Sequence, residues 1–111
     1  MKIAVIIYSN DPETVWNAFR FANTSLIYDN NVSVFLLGKG VEALTLNTFK
    51  YDILEQLEIF RGGEGILVGC GVCCENRREE MPLLQQELKC DMGSMQDLYR
   101  ITTEADKVLT F

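Results

Sequence analysis

The sequence contains no histidine, and its ten lysines and arginines are outnumbered by sixteen aspartates and glutamates. Without imidazole, Ser-His and Cys-His catalytic pairs are excluded, as is any His-ligated metal. The shortage of cationic side chains is spread over both halves of the chain, and the formal charge is −6. No basic face is left to neutralise phosphate, so nucleic acid is not an expected direct partner. No apolar run approaches the roughly 20 residues of a membrane span. Lys2 is followed only by Ile3–Ile7 before Tyr8-Ser9-Asn10-Asp11, so neither a signal peptide nor a membrane contact is expected. Linkers, repeats and low-complexity segments are missing too. The 111 residues read as one domain over residues 1–111, able to bury roughly 60–68% of its unfolded surface without disulfide staples. A cytoplasmic location is expected, where thiols stay reduced and clustered cysteines point to catalysis, redox work or metal.

What is present is a regular alternation. Lys2–Tyr8 (KIAVIIY) is a continuous β-branched apolar run, as expected of a strand buried on both faces. Asp11 is a good N-cap, Pro12 suits the first helical position and Glu13 favours the positive helix end. Val15, Ala18, Phe19, Ala22 and Leu26 then recur at helical spacing. Asp29-Asn30-Asn31 ends that helix, and Val32–Leu37 (VSVFLL) is a second buried strand closed by Gly38-Lys39-Gly40 and a short turn through Val41–Leu44. Ile53, Leu54, Leu57 and Phe60 predict a second helix stopped at Arg61-Gly62-Gly63, and Gly65–Gly69 (GILVG) a third strand. A short helix is expected from Pro82 within Met81–Leu88, then a weak strand at Leu88–Met92. Ser94 and Asp97 have capping-box spacing and open a helix with Met95, Leu98, Tyr99, Thr102 and Ala105 on its apolar face. Lys107–Phe111 (KVLTF) is a last strand. Strands and helices in this order predict an α/β fold with Rossmann-type alternation, a three-layer α/β/α sandwich around a parallel sheet. Ligands collect at the carboxyl ends of such strands.

The chemistry concentrates at one of those ends. Gly69-Cys70-Gly71-Val72-Cys73-Cys74 directly follows the third strand, and Arg77 and Arg78 come soon after. Gly69 and Gly71 leave the Cys70 sulfur approachable, and loop amides, a following helix start if one forms, and guanidinium charge would favour a thiolate there. Glu75, Glu79 and Glu80 oppose that effect. Cys70 is therefore read as a reactive thiol, whereas Cys90, placed in a strand with Leu88 and Met92, is read as a buried apolar residue. Cys70 and Cys73 form a C-x-x-C pair able to cycle between dithiol and disulfide, but the aromatic and proline that usually accompany it in thioredoxin-like domains cannot be placed. A four-thiolate zinc site is a rival, although C-x2-C-C-x15-C lacks two paired knuckles. A broken G-x-G-x-x-G gives dinucleotide binding weak support.

KIAVIIY, VFLLGKGVEAL, GCGVCCENRR and the ending GSMQDLYRITTEADKVLTF together resemble the DsrE/DsrF family of small sulfur-relay proteins, with its TusD-like and YchN-like members. The resemblance spans nearly the whole chain, and ADKVLTF is its most specific piece. It implies a five-stranded parallel sheet and a homo-oligomer, trimer or hexamer. It also implies that Cys70, seven residues before Arg77, accepts sulfane sulfur as a persulfide and passes it between a sulfur-donor and a sulfur-acceptor protein. Cys73 matches the second cysteine of YchN-like members, either resolving the persulfide as a disulfide or carrying sulfur itself; Cys74 has no functional counterpart. Gly71 and the loop amides would stabilise the persulfide anion and Arg77 would add positive charge. No cofactor or metal is required. Two readings stand beside the relay: a non-catalytic oligomeric binding protein with structural or redox-sensitive cysteines, and a Cys-ligated metal module. Trp16 lies off the apolar face of the first helix and, with Phe49 and Tyr51, marks either a subunit interface or scattered surface aromatics.

Overall fold

The β-branched run at the start of the chain is flanked on both sides. β1 (Lys2–Ile7) pairs in parallel with β2 (Asn31–Leu36) and with β5 (Lys107–Thr110), so that Ile3 lies opposite both Val32 and Lys107. A strand paired along both edges and covered above and below has no place for polar side chains, and Ile3 to Ile7 are all buried. β3 (Ile66–Cys70) and β4 (Asp91–Gly93) extend the sheet beyond β2 in the order β4-β3-β2-β1-β5, every neighbour parallel. The structure, a computed structural model, describes residues 1–111.

α1 (Pro12–Ile27) begins where the sequence places it: the Asp11 carboxylate accepts the Thr14 amide at 3.0 Å, and Pro12 occupies the first turn. Its stripe of Val15, Ala18, Phe19 and Ala22 is fully buried. α2 (Ile53–Gly62) is capped in the same way by Asp52 and buries Ile53, Leu57 and Phe60. The two helices meet on one sheet face, where Phe19 and Phe60 pack edge to face at 6.2 Å. Aromatic contacts of this kind add to burial, and truncating such a ring to Ala typically costs about 3–5 kcal/mol.

The opposite face carries only α5 (Met95–Glu104). Its capping box is complete: Ser94 Oγ accepts the Asp97 amide, and the Asp97 carboxylate accepts the Ser94 amide at 2.7 Å. The expected apolar face is rotated. Met95 and Tyr99 are exposed, while Ile101 is the buried residue, with Leu98 and Ala105 beside it. The two stripes share Leu98 and Ala105, so periodicity alone does not separate them; docking against the sheet does. One helix cannot cover five strands, and Ile66 and Val108 remain 55% and 46% exposed.

The segment after β2 is longer and tighter than a turn. Gly38–Leu46 forms a 3-10 helix folded across the carboxyl end of the sheet. Gly38 has φ +56°, a left-handed conformation natural to glycine. A Cβ on Gly40 would lie 1.9 Å from the Ile7 carbonyl oxygen, so only glycine lets the backbone pass this close to β1.

Two further expectations shift. The short helix α4 (Leu84–Leu88) begins two residues after Pro82, and Cys90 precedes β4 rather than lying within it. Lys89 causes the second change: its left-handed conformation, φ 49°, breaks the extended run expected over Leu88–Met92.

Candidate functional site

β3 carries the sequence's glycine-flanked cysteine to the carboxyl edge of the sheet and ends on it, so the strand closes at Cys70 rather than Gly69. Immediately afterwards Gly71–Glu75 winds into the short helix α3, with Cys70 as its N-cap. A helix start thus follows Cys70 directly. The Cys70 sulfur accepts the Cys73 amide at 3.3 Å, as a capping oxygen would. Cys70 itself is only 6% exposed.

One turn of helix brings Cys73 back over Cys70. Their sulfurs are 2.7 Å apart, with the Cys73 thiol as donor. The Gly38 amide, presented by the glycine turn after β2, donates to Cys73 Sγ at 3.1 Å. Burial, followed by the hydrogen bond to Cys70, raises the Cys73 thiol above its ordinary value; the Gly38 amide and the Arg77 charge act in the opposite direction. Cys73 thus holds its proton and directs it at Cys70. All four cysteines are free thiols.

Arg77 reaches this site but shares its charge. Its Nε donates to Glu42 at 2.8 Å and its NH1 to the Cys73 carbonyl at 3.1 Å, with both ion-pair side chains largely buried. The guanidinium clamps α3 to the 3-10 segment as well as adding positive charge near the thiols. Glu42 and Gly38 are the partners that sequence reading misses. They lie 35 residues from Arg77 and Cys73, and nothing local marks the pairing.

The remaining cysteines differ. Cys74 lines a hollow of about 200 Å³ with Glu75, Arg78, Met81, Pro82 and Gln85. Burial first, then the charges of Cys70 and Cys73, raise its thiol. The Cys90 sulfur packs over Gly69, 3.4 Å from where a Cβ would stand, and burial pushes its thiol up to about 11. No three cysteine, aspartate or glutamate side chains converge as metal ligands. The largest cleft, about 720 Å³, lies at the amino ends of the strands, away from the thiols, and one of about 320 Å³ is lined by Cys90 with Arg61 and Lys89. Trp16 and Tyr51 pack together at 5.4 Å with Arg20 over the indole, whereas Phe49 is fully exposed. No helix is long and apolar enough to cross a membrane.

The chain is similar to the uncharacterized protein MJ0989 of Methanocaldococcus jannaschii, 30% identical over 116 residues and covering 100% of both chains. Among solved structures, YchN from E. coli matches with TM-score 0.74 and 23% identity over 100% of each chain. The conserved protein of unknown function BT1422 from Bacteroides thetaiotaomicron matches with TM-score 0.72 and 17% identity, over 99% of this chain and 94% of the other. At those identities the structural likeness concerns the fold alone. A family model described as DsrE/DsrF-like matches residues 1–111. With the parallel sheet and the full-length match in agreement, this chain belongs to the DsrE/DsrF-like family.

Proposed function

We propose that the protein is a cytoplasmic sulfur-relay subunit in which Cys70 accepts sulfane sulfur as a persulfide and passes it to a partner protein. The observation that carries this reading is the placement of Cys70: at the end of a buried strand, its sulfur accepts both the amide and the thiol proton of Cys73. Two donors converge on this one sulfur, and in thiol exchange the thiolate is the nucleophile. Cys70 attacks a donor persulfide, takes the outer sulfur and releases it when an acceptor thiolate attacks in turn. Gly71 keeps the approach open, and Arg77, tied to Glu42, holds α3 in place beside the thiols. Neither a histidine nor a metal takes part. Donor and acceptor are proteins that offer thiols on projecting segments, which suits a thiol at a sheet edge rather than in a deep cavity.

The chain acts in this reading as a homo-oligomer, trimer or hexamer. The exposed Ile66, Val108, Met95 and Tyr99 on the α5 side supply the apolar surface that such an assembly would cover.

Intact-mass analysis after incubation with a persulfide donor tests the relay. An adduct of about 32 Da, one sulfur atom, is expected in the first moments after loading under non-reducing conditions and never forms in Cys70→Ser. An unmodified mass under conditions that load an authentic carrier would make the chain a binding subunit instead.

A further inference from the structure

The relay above uses one thiol, yet two are in contact. Cys73 Sγ lies 2.7 Å from Cys70 Sγ, and a disulfide needs roughly 2.05 Å. Small movements of two side chains therefore suffice to join them. Cys73 is also held in place: Gly38 N–H donates to its sulfur, its own amide points at Cys70, and Arg77 binds its carbonyl. Cys74, which lines the hollow beside Met81 and Pro82, makes no hydrogen bond to either sulfur, whereas Cys73 does. The thiol contact is to the inner sulfur of any persulfide on Cys70, not to its outer one.

We propose that Cys73 is a resolving thiol that attacks the Cys70 persulfide and releases its outer sulfur as hydrosulfide, giving the protein a persulfide-reducing activity beside its relay role. This rests on the persulfide reading of Cys70. In the step, a bond forms between Cys73 Sγ and Cys70 Sγ while the bond from Cys70 Sγ to the outer sulfur breaks. The outer sulfur departs with the bonding pair and takes up the Cys73 proton, leaving as HS⁻. Sulfane sulfur is thereby reduced by two electrons, and the two cysteines are oxidised to a disulfide. A low-molecular-weight or protein dithiol supplies two electrons and two protons to restore the resting pair.

The fate of the sulfur then depends on a race. A partner thiolate that reaches the outer sulfur first receives it, with both cysteines left reduced. With no partner docked, Cys73 empties the site and the protein closes on its own disulfide. Unclaimed sulfur thus leaves as sulfide instead of reacting at random with other thiols.

The test uses the full chain and its Cys73→Ser, Cys73→Ala and Cys70→Ser variants, each first shown to be folded by thermal melting. Each is loaded with inorganic polysulfide, freed of excess by gel filtration without reductant, and followed by intact mass and by hydrosulfide assay. The wild type is expected to release about one hydrosulfide per chain and to settle about 2 Da below the reduced mass, with peptide mapping placing the disulfide between Cys70 and Cys73. Both Cys73 variants are expected to keep the adduct of about 32 Da and release at least about tenfold less sulfide. Dithiothreitol should restore the wild type for a second round. A wild-type adduct that persists as long as that of the Cys73 variants overturns the resolving role while leaving the relay standing. A disulfide mapped to Cys74 or Cys90 also overturns it. Cys73 variants that never acquire an adduct overturn the relay reading itself, and this inference with it.

Discussion

Cys70 ends one strand of a neighbouring pair and Cys90 immediately precedes the other, yet their surroundings differ. Cys70 ends β3, and Gly93 of β4 lies opposite it; Cys90 stands three residues before Gly93, near the other end of that strand pair. At the Cys70 end, amides from two segments point at sulfur: the Cys73 amide at Cys70 and the Gly38 amide at Cys73. Around Cys90 desolvation dominates, and its thiol rises to about 11. Cys70 is itself only 6% exposed, so the two differ in their hydrogen-bond partners: Cys70 accepts both the amide and the thiol proton of Cys73.

The largest expected effect comes from removing what brings the Gly38 amide to Cys73. Gly40→Ala puts a methyl 1.9 Å from the Ile7 carbonyl, a backbone atom that cannot turn aside. The 3-10 segment must lift from β1, at an expected cost of about 3 kcal/mol in denaturant unfolding. The Gly38–Cys73 hydrogen bond, which lowers the Cys73 thiol, goes with it, so the pH midpoint of Cys73 alkylation should move upward. A wild-type stability would show that the segment is not held against β1.

Next comes the clamp. Arg77→Gln leaves Glu42 charged and largely buried without its partner, which is expected to cost about 2 kcal/mol. Because the Arg77 charge lowers the Cys73 thiol, its removal should also move the pH midpoint of Cys73 alkylation upward, with no matching change at Cys90. Arg77→Lys should recover part of both effects, though not the bond to the Cys73 carbonyl in its present fork geometry. Equal shifts at Cys73 and Cys90 would break the distinction between the two ends.

The smallest effect concerns Cys90 and has a definite sign. A thiol whose folded value is raised binds its proton more tightly in the native state. Its contribution is full below the unfolded value of about 8.5 and is lost as pH rises through about 11. Cys90→Ala should therefore flatten the fall of stability between those limits, by on the order of 1 kcal/mol after allowance for partial exposure. Melting temperatures of both proteins at pH 7 and pH 10.5 measure it, and parallel curves would remove Cys90 from the account.

Much of the architecture was legible because its signals are local. Asp11, Asp52 and Ser94 each accept an amide three residues ahead, so their helix starts can be read without knowing the fold. The apolar runs of β1 and β2 announce strands covered on both sides. Where the reading slipped, two local solutions were equivalent or one residue adopted a rare conformation. The α5 face rotated onto Ile101 because both candidate stripes contain Leu98 and Ala105. Cys90 left its expected strand because Lys89 turned left-handed.

The candidate site divides in the same way. By itself the sequence determined that histidine chemistry is absent and that three cysteines follow a strand ending among glycines. It also set Cys70 and Cys73 at C-x-x-C spacing. Only the tertiary structure decided which groups surround them: that Gly38 and Glu42, from the segment after β2, meet Cys73 and Arg77 after β3. The reason is parallel pairing. Adjacent parallel strands bring their carboxyl ends, and the loops that leave them, to one edge, so residues 35 apart in the chain become hydrogen-bond partners there.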